Sequence, residues 1–162
     1  VQAAAQRLGF KPIINLSGHA IAPYVVHAGL SIPNTYTAGT PDLKPGYVYA
    51  IEPFATTQKG AGIVVNGPVT NIFSLVARKP VGDPTLNRFI DELWSRFRTL
   101  PFTYRQIRDL GDAGWLERAV KSLLQKRVLR GYPVLVEARN EAVAQAEHTI
   151  TPVENGVIVL TE

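Results

Sequence analysis

One amphipathic block divides this chain and limits the folds open to it. Asp83-Pro84 has the form of a helix N-cap followed by proline at the first helical position. Leu86, Phe89, Ile90, Leu93, Trp94 and Phe97 then recur at the spacing of one buried helix face. Residues 103–110 predict a short second helix, closed by Gly111. A third opens near Asp112, with Leu116, Ala119, Val120, Leu123 and Leu124 turned inward. Gly131 and Pro133 lead into an extended run at 134–136, so the block reads as three helices and a strand, like a winged helix. On either side the pattern is that of strands between Gly/Pro turns: 13–16, 47–54, 62–65 and 71–78 before it, 145–150 and 157–160 after it. Strands interrupted by helices in this order predict an α+β fold.

The 162 residues suffice for one domain but not for two of ordinary size. With 46% hydrophobic and 19% charged residues, the chain has the mix of a folded protein. No apolar run approaches the roughly 18 residues of a membrane span, so no membrane partner is expected. The start of the chain lacks the layout of a secretion signal. The absence of cysteine excludes disulfides, thiolate metal sites and cysteine nucleophiles. Methionine is absent too, and the helix predicted over residues 1–8, ended by Gly9, has no capping residue in front. The chain is therefore expected to start inside an element, as a piece of a longer protein.

Charge follows the same division. Residues 78–139 hold 13 of the 17 Lys and Arg but only 7 of the 13 acids, although the net charge is just +4. A basic helical block raises the question of DNA. The third helix, however, offers Glu117, Arg118, Lys121, Gln125 and Lys126, an ordinary solvated face. Nucleic acid is not expected as a partner.

Chemistry is more visible outside the block. Period-two alternation over 47–54 puts Glu52 on one face with Val48, Ala50 and Phe54. A carboxylate there must be paired, protonated or metal-bound, and residues 46–57 contain no Arg or Lys to pair it. In the second strand-like run, Glu147 and His148 point to opposite faces, which leaves Glu147 the better ligand candidate. The remaining histidines, His19 and His27, lie eight residues apart around Pro23, as on neighbouring segments joined by a turn. There is no G-x-S-x-G elbow, Walker loop or G-x-G-x-x-G. An imidazole with two carboxylates suits a divalent ion such as Mn, Fe, Co or Zn.

Four segments now carry a resemblance: 9–19 (GFKPIINLSGH), 27–33 (HAGLSIP), 50–54 (AIEPF) and 144–150 (AQAEHTI). In this order they resemble the type II methionine aminopeptidases in their archaeal form. The resemblance implies the second half of a pita-bread fold, residues 1–78 and 139–162, with a winged-helix-like insertion at 79–138. It implies a cytoplasmic metallopeptidase that removes initiator methionine from nascent polypeptides using two divalent metal ions. His19, Glu52 and Glu147 match metal ligands, Glu52 serving also as general base. His27 matches a histidine that contacts the scissile amide, and Tyr132 an aromatic of the methionine pocket. Ala146 departs from the phenylalanine expected before the bridging glutamate. Two aspartate ligands and another histidine belong to the missing N-terminal half of the fold. On this reading the chain alone lacks a complete site and activity, and exposes enough apolar surface to self-associate. The competing reading is a catalytically incomplete scaffold that binds a partner or nucleic acid through its basic insertion.

Overall fold

The computed structural model describes residues 1–162, which form fifteen elements in two compact units. Unit one comprises residues 1–66 and 135–162, and unit two comprises residues 67–134. In chain order the elements are α1 (Gln2–Arg7), β1 (Lys11–Pro12), β2 (Ser17–Ile21), β3 (Ser31–Pro33), β4 (Val48–Ile51), β5 (Phe54–Thr56) and β6 (Val64–Leu75). They continue as α2 (Pro84–Phe97), β7 (Phe102–Thr103), α3 (Tyr104–Ile107), α4 (Ala113–Gln125), β8 (Leu129–Glu137), β9 (Val143–Gln145), β10 (His148–Val153) and β11 (Gly156–Val159). The strands β6 and β8 each contribute residues to both units.

Unit two owes its order to helix ends and a packed core. Asp83 accepts hydrogen bonds from the Thr85 and Leu86 amides at 2.8 and 3.1 Å, and so caps α2. Asp112 does the same for α4 through the Trp115 amide at 2.9 Å. Between them Thr103 and Gln106 form a reciprocal capping box on α3. Leu86, Phe89, Ile90 and Leu93 from α2 meet Leu116, Ala119, Val120 and Leu123 from α4. Phe73, Leu75, Phe102, Ile107, Val128 and Leu129 complete the same cluster. Each of these side chains except Ala119 contributes about 1.5–3 kcal/mol by leaving water. Gly111 is required by packing, since a Cβ there would lie 2.6 Å from the Trp115 ring.

Unit one is built from two antiparallel sheets. Five strands lie in the order β11-β10-β4-β2-β3, and three shorter ones in the order β1-β5-β9. Its buried apolar residues are few: Ile13, Ala20, Tyr49, Ala50 and Val64. Several expected strands are reshaped here. Residues 13–16, expected as a strand, lie outside any strand, between β1 and β2. The side chain of Asn15 takes the strand's place, accepting from the Val64 amide and donating to the Val64 carbonyl at 2.9 and 2.8 Å. The runs 47–54 and 145–150 are each broken in the middle, at Glu52-Pro53 and at Ala146-Glu147. The runs 62–65 and 71–78 are instead joined, since β6 is a single twelve-residue strand.

Candidate functional site

The two breaks face one another. On one side of them β10 pairs with β4, His148 opposite Ile51; on the other β5 pairs with β9, Phe54 opposite Gln145. Continuing the register sets Glu52 across from Glu147 and Pro53 across from Ala146. Proline has no amide proton to extend the ladder, and the Ala146 amide closes the gap by donating to the Pro53 carbonyl at 3.2 Å. Both carboxylates therefore sit where a pair of strands passes from one sheet to the next. Period-two reasoning for Glu52 and Glu147 assumed unbroken strands, and that assumption does not hold.

His19 reaches Glu52 from the neighbouring strand. It lies on β2 opposite Ala50 of β4, is only 6% exposed, and its Nε2 is 2.9 Å from Glu52 Oε1. Its Nδ1 lies 3.2 Å from the Ala20 carbonyl oxygen. Each ring nitrogen thus faces an oxygen, and the tautomer decides which of the two contacts the ring donates. The partner that the Glu52 carboxylate needs is this histidine rather than a Lys or Arg. Burial and the nearby negative charge of Glu147 raise the Glu52 carboxyl above its ordinary range, against the opposing influence of His19.

His27 returns to the same place through a tight turn. Ala22 and Val25 exchange backbone hydrogen bonds at 3.0 and 2.8 Å, and the Ala28 amide donates to the Ala20 carbonyl at 2.8 Å. The His27 ring then lies over that of His19, centroids 4.1 Å apart and planes inclined by 48°. His27 is exposed where His19 is buried. Glu147 is exposed as well and accepts from Gln145 Nε2 at 3.3 Å. His148 is turned elsewhere, its Nδ1 3.1 Å from Thr161 Oγ1. Tyr132 belongs to unit two, where its hydroxyl lies 3.1 Å from Ser74 Oγ and accepts from Arg130 Nη2 at 3.0 Å.

The donor set can be tested for an ion. His19 Nε2 and Glu52 Oε1 lie 2.9 Å apart, an imidazole nitrogen beside a carboxylate oxygen, with a second carboxylate, Glu147, in electrostatic reach. That is the chemistry a divalent ion selects. No three of the chain's histidine and acidic side chains are gathered closely enough to hold an ion by themselves. His19 and Glu52 fit the role as a pair, with Glu147 in electrostatic reach.

Sequence reasoning passed over two residues that support this arrangement, Gln145 and Glu137. Glu137 is 2% exposed, and its carboxylate accepts from the amides of Ala61, Gly62, Arg139 and Glu141. The available signal was weak: an acid closing an apolar strand, and a Gly-Ala-Gly loop far away in sequence.

This mixed α/β architecture is shared with solved proteins of the pita-bread fold. The chain superposes on a thermophilic Arx1 with a TM-score of 0.77 at 21% identity, covering 98% of this chain and 43% of that one. A methionine aminopeptidase from Rickettsia prowazekii gives a TM-score of 0.52 at 17% identity, over 99% of this chain and 40% of that one. Sequence narrows the class. The chain is 44% identical over 158 residues to a methionine aminopeptidase of Pyrococcus abyssi, covering 97% of this chain and 53% of that protein. It is 39% identical over 163 residues to that of Methanocaldococcus jannaschii, covering 100% and 53% respectively. The chain is homologous to the archaeal methionine aminopeptidases. It spans about half the length of the curated relatives it matches. No family model matches the chain. No helix is long and apolar enough to cross a membrane.

Proposed function

We propose that the chain is the second half of a type II metalloaminopeptidase that removes N-terminal methionine from polypeptides in the cytoplasm. The contact between His19 Nε2 and Glu52 Oε1, opposite Glu147, carries this reading, because it sets side by side the nitrogen and oxygen donors that a divalent cation takes. His19, Glu52 and Glu147 would hold two divalent ions (Co, Mn, Fe or Zn) together with donors from a preceding half of the fold. Bound there, the ions would acidify a water and polarise the substrate carbonyl. His27, exposed above His19, donates a hydrogen bond to the oxygen that gains charge as that carbonyl is attacked. Glu52 would act as general base, taking a proton from the attacking water and passing it to the departing amine. The resemblance to the aminopeptidases gives Tyr132 the role of an aromatic that receives the methionine side chain. Residues 79–138 form the winged-helix-like insertion and supply no ligand.

The test is a chimaera in which this chain replaces the matching segment of the Pyrococcus abyssi relative. Release of methionine from a methionyl peptide is expected, and its loss in Glu52→Gln. A folded, metal-loaded chimaera without turnover would overturn the reading. The superposition on Arx1, higher in TM-score than that on the aminopeptidase, favours a second reading. In it the chain is a scaffold without catalysis, binding a partner through its basic insertion. The presence of His19, His27, Glu52 and Glu147 in one chain speaks against it, since a scaffold has no use for that set.

A further inference from the structure

The backbone amides around Glu137 tie together two loops that lead to the candidate site. Residues 57–63 join β5 to β6, and residues 138–142 join β8 to β9. One carboxylate oxygen of Glu137 accepts from the Ala61 and Gly62 amides at 2.5 and 3.1 Å, and the other from Arg139 and Glu141 at 2.7 and 3.3 Å. All four bonds come from neutral backbone donors, and the carboxylate is buried. Further bonds join the same segments: Thr57 Oγ1 donates to Glu141 Oε2 at 2.7 Å, and Thr56 Oγ1 to the Ala142 carbonyl at 2.8 Å. Arg139 Nη1 reaches the Lys59 carbonyl at 3.2 Å, and Lys11 Nζ the Gly60 carbonyl at 3.0 Å. There is no slack, since a Cβ at Gly60 would lie 2.6 Å from Thr56 Oγ1 and 3.3 Å from Glu137 Oε1.

The strands these loops feed have little of their own to set their pairing. β5 and β9 are three residues each, β9 is exposed throughout, and the central facing pair is Ala55 with Ala144. Where one face is not buried, register is weakly specified, and a slip of one residue reverses every side chain. Such a slip would strain the two-residue links that join this ladder to the β4–β10 ladder, and Glu52 and Glu147 lie in those links.

We propose that Glu137 is a positioning residue. By locking the 57–63 loop to the 138–142 loop it sets the register of the β5–β9 ladder, and through it the approach of Glu147 to Glu52. The link to catalysis rests on the proposed cation site; the link to register does not.

The experiment is NMR on the 162-residue chain, with Co²⁺ titration of the same substitutions, and of the unsubstituted parent, in the chimaera with the Pyrococcus abyssi relative. In Glu137→Ala the contacts between Ala55 and Ala144 should vanish or shift to a neighbouring pair, while those between His19 and Ala50 persist. Glu137→Gln keeps an oxygen for the Ala61 and Gly62 amides and should restore part of the native pairing. Co²⁺ should bind Glu137→Ala about tenfold more weakly than the parent, as expected when support behind a ligand is lost. Native Ala55–Ala144 contacts in a folded Glu137→Ala would overturn the proposal, as would unfolding of unit one in both variants. A register shift without Co²⁺ binding to the parent would uphold the positioning of the ladder and overturn the cation site instead.

Discussion

Single atoms decide the geometry around His19. Gly18 precedes it on β2, and a Cβ at that position would collide with the Ala50 carbonyl oxygen, within the ladder that sets His19 beside Glu52. Backbone cannot retreat as a side chain can, so Gly18→Ala should cost about 1–3 kcal/mol in chemical denaturation. A Gly18→Ala chain as stable as the parent would show that β2 can slide away from β4. The histidines divide by burial. In the chimaera with the Pyrococcus abyssi segment, His19→Ala should lose bound metal, because it removes a donor. His27→Ala should retain metal and lower kcat by about 10²–10³, the loss typical of one donor to a developing oxyanion. Metal stoichiometry and kcat measured on the same folded samples separate the two, and loss of metal in His27→Ala would reverse the assignment. These residues were legible because a carboxylate among apolar neighbours, or two histidines around a proline, breaks a local rule. Glu137 breaks none. Its partners, Ala61 and Gly62, are remote in sequence and offer only backbone, which no pattern of side chains encodes.

At the scale of elements, legibility follows the range of the forces. The helices α2 and α4 lie where periodicity and the Asp83 and Asp112 caps put them, since both signals are local. Strands in unit one were harder. The break between β4 and β5 lies at Glu52-Pro53 because the pairing partner changes there, and partners are set by distant segments. Asn15 mimicking a strand against Val64 is the same effect in miniature. The loop held by Glu137 has a measurable consequence for acid stability. Burial works against its charged form, but the amides of Arg139, Glu141, Ala61 and Gly62 outweigh this and hold the carboxyl below its ordinary range. A carboxyl depressed in the folded state stabilises the fold above its unfolded pKa, and that stability is lost as pH falls through the folded value. The chain should therefore lose stability from about pH 4.3 downward, with a shallower slope in Glu137→Gln. Equal slopes in denaturation series from pH 5 to pH 2 would show that the amides do not favour the charged carboxylate.

Across the whole molecule the apolar core is unevenly shared. Unit two holds a continuous cluster of fourteen buried residues drawn from its helices and strands. Unit one buries few large apolar side chains and leaves Phe10, Ile14, Tyr24, Tyr36, Val157 and Ile158 exposed. Stability rises with apolar area removed from water, so the two units are unequal on this count. Cooperative unfolding needs contacts that rise and fall together, and the fourteen-residue cluster supplies them within unit two alone. Heating should then give two transitions, with the strands of unit one melting first and the helices of unit two at higher temperature. Leu93, fully buried in that cluster, is the probe. Leu93→Ala removes a large side chain from a site with neighbours on all sides and should cost about 2–5 kcal/mol. The cost should fall on the upper transition, read by far-ultraviolet circular dichroism of the helices. The lower transition, read by NMR contacts between His19 and Ala50, should keep its midpoint. A single transition that Leu93→Ala moves as a whole would mean that the 162 residues unfold as one cooperative body despite the uneven core.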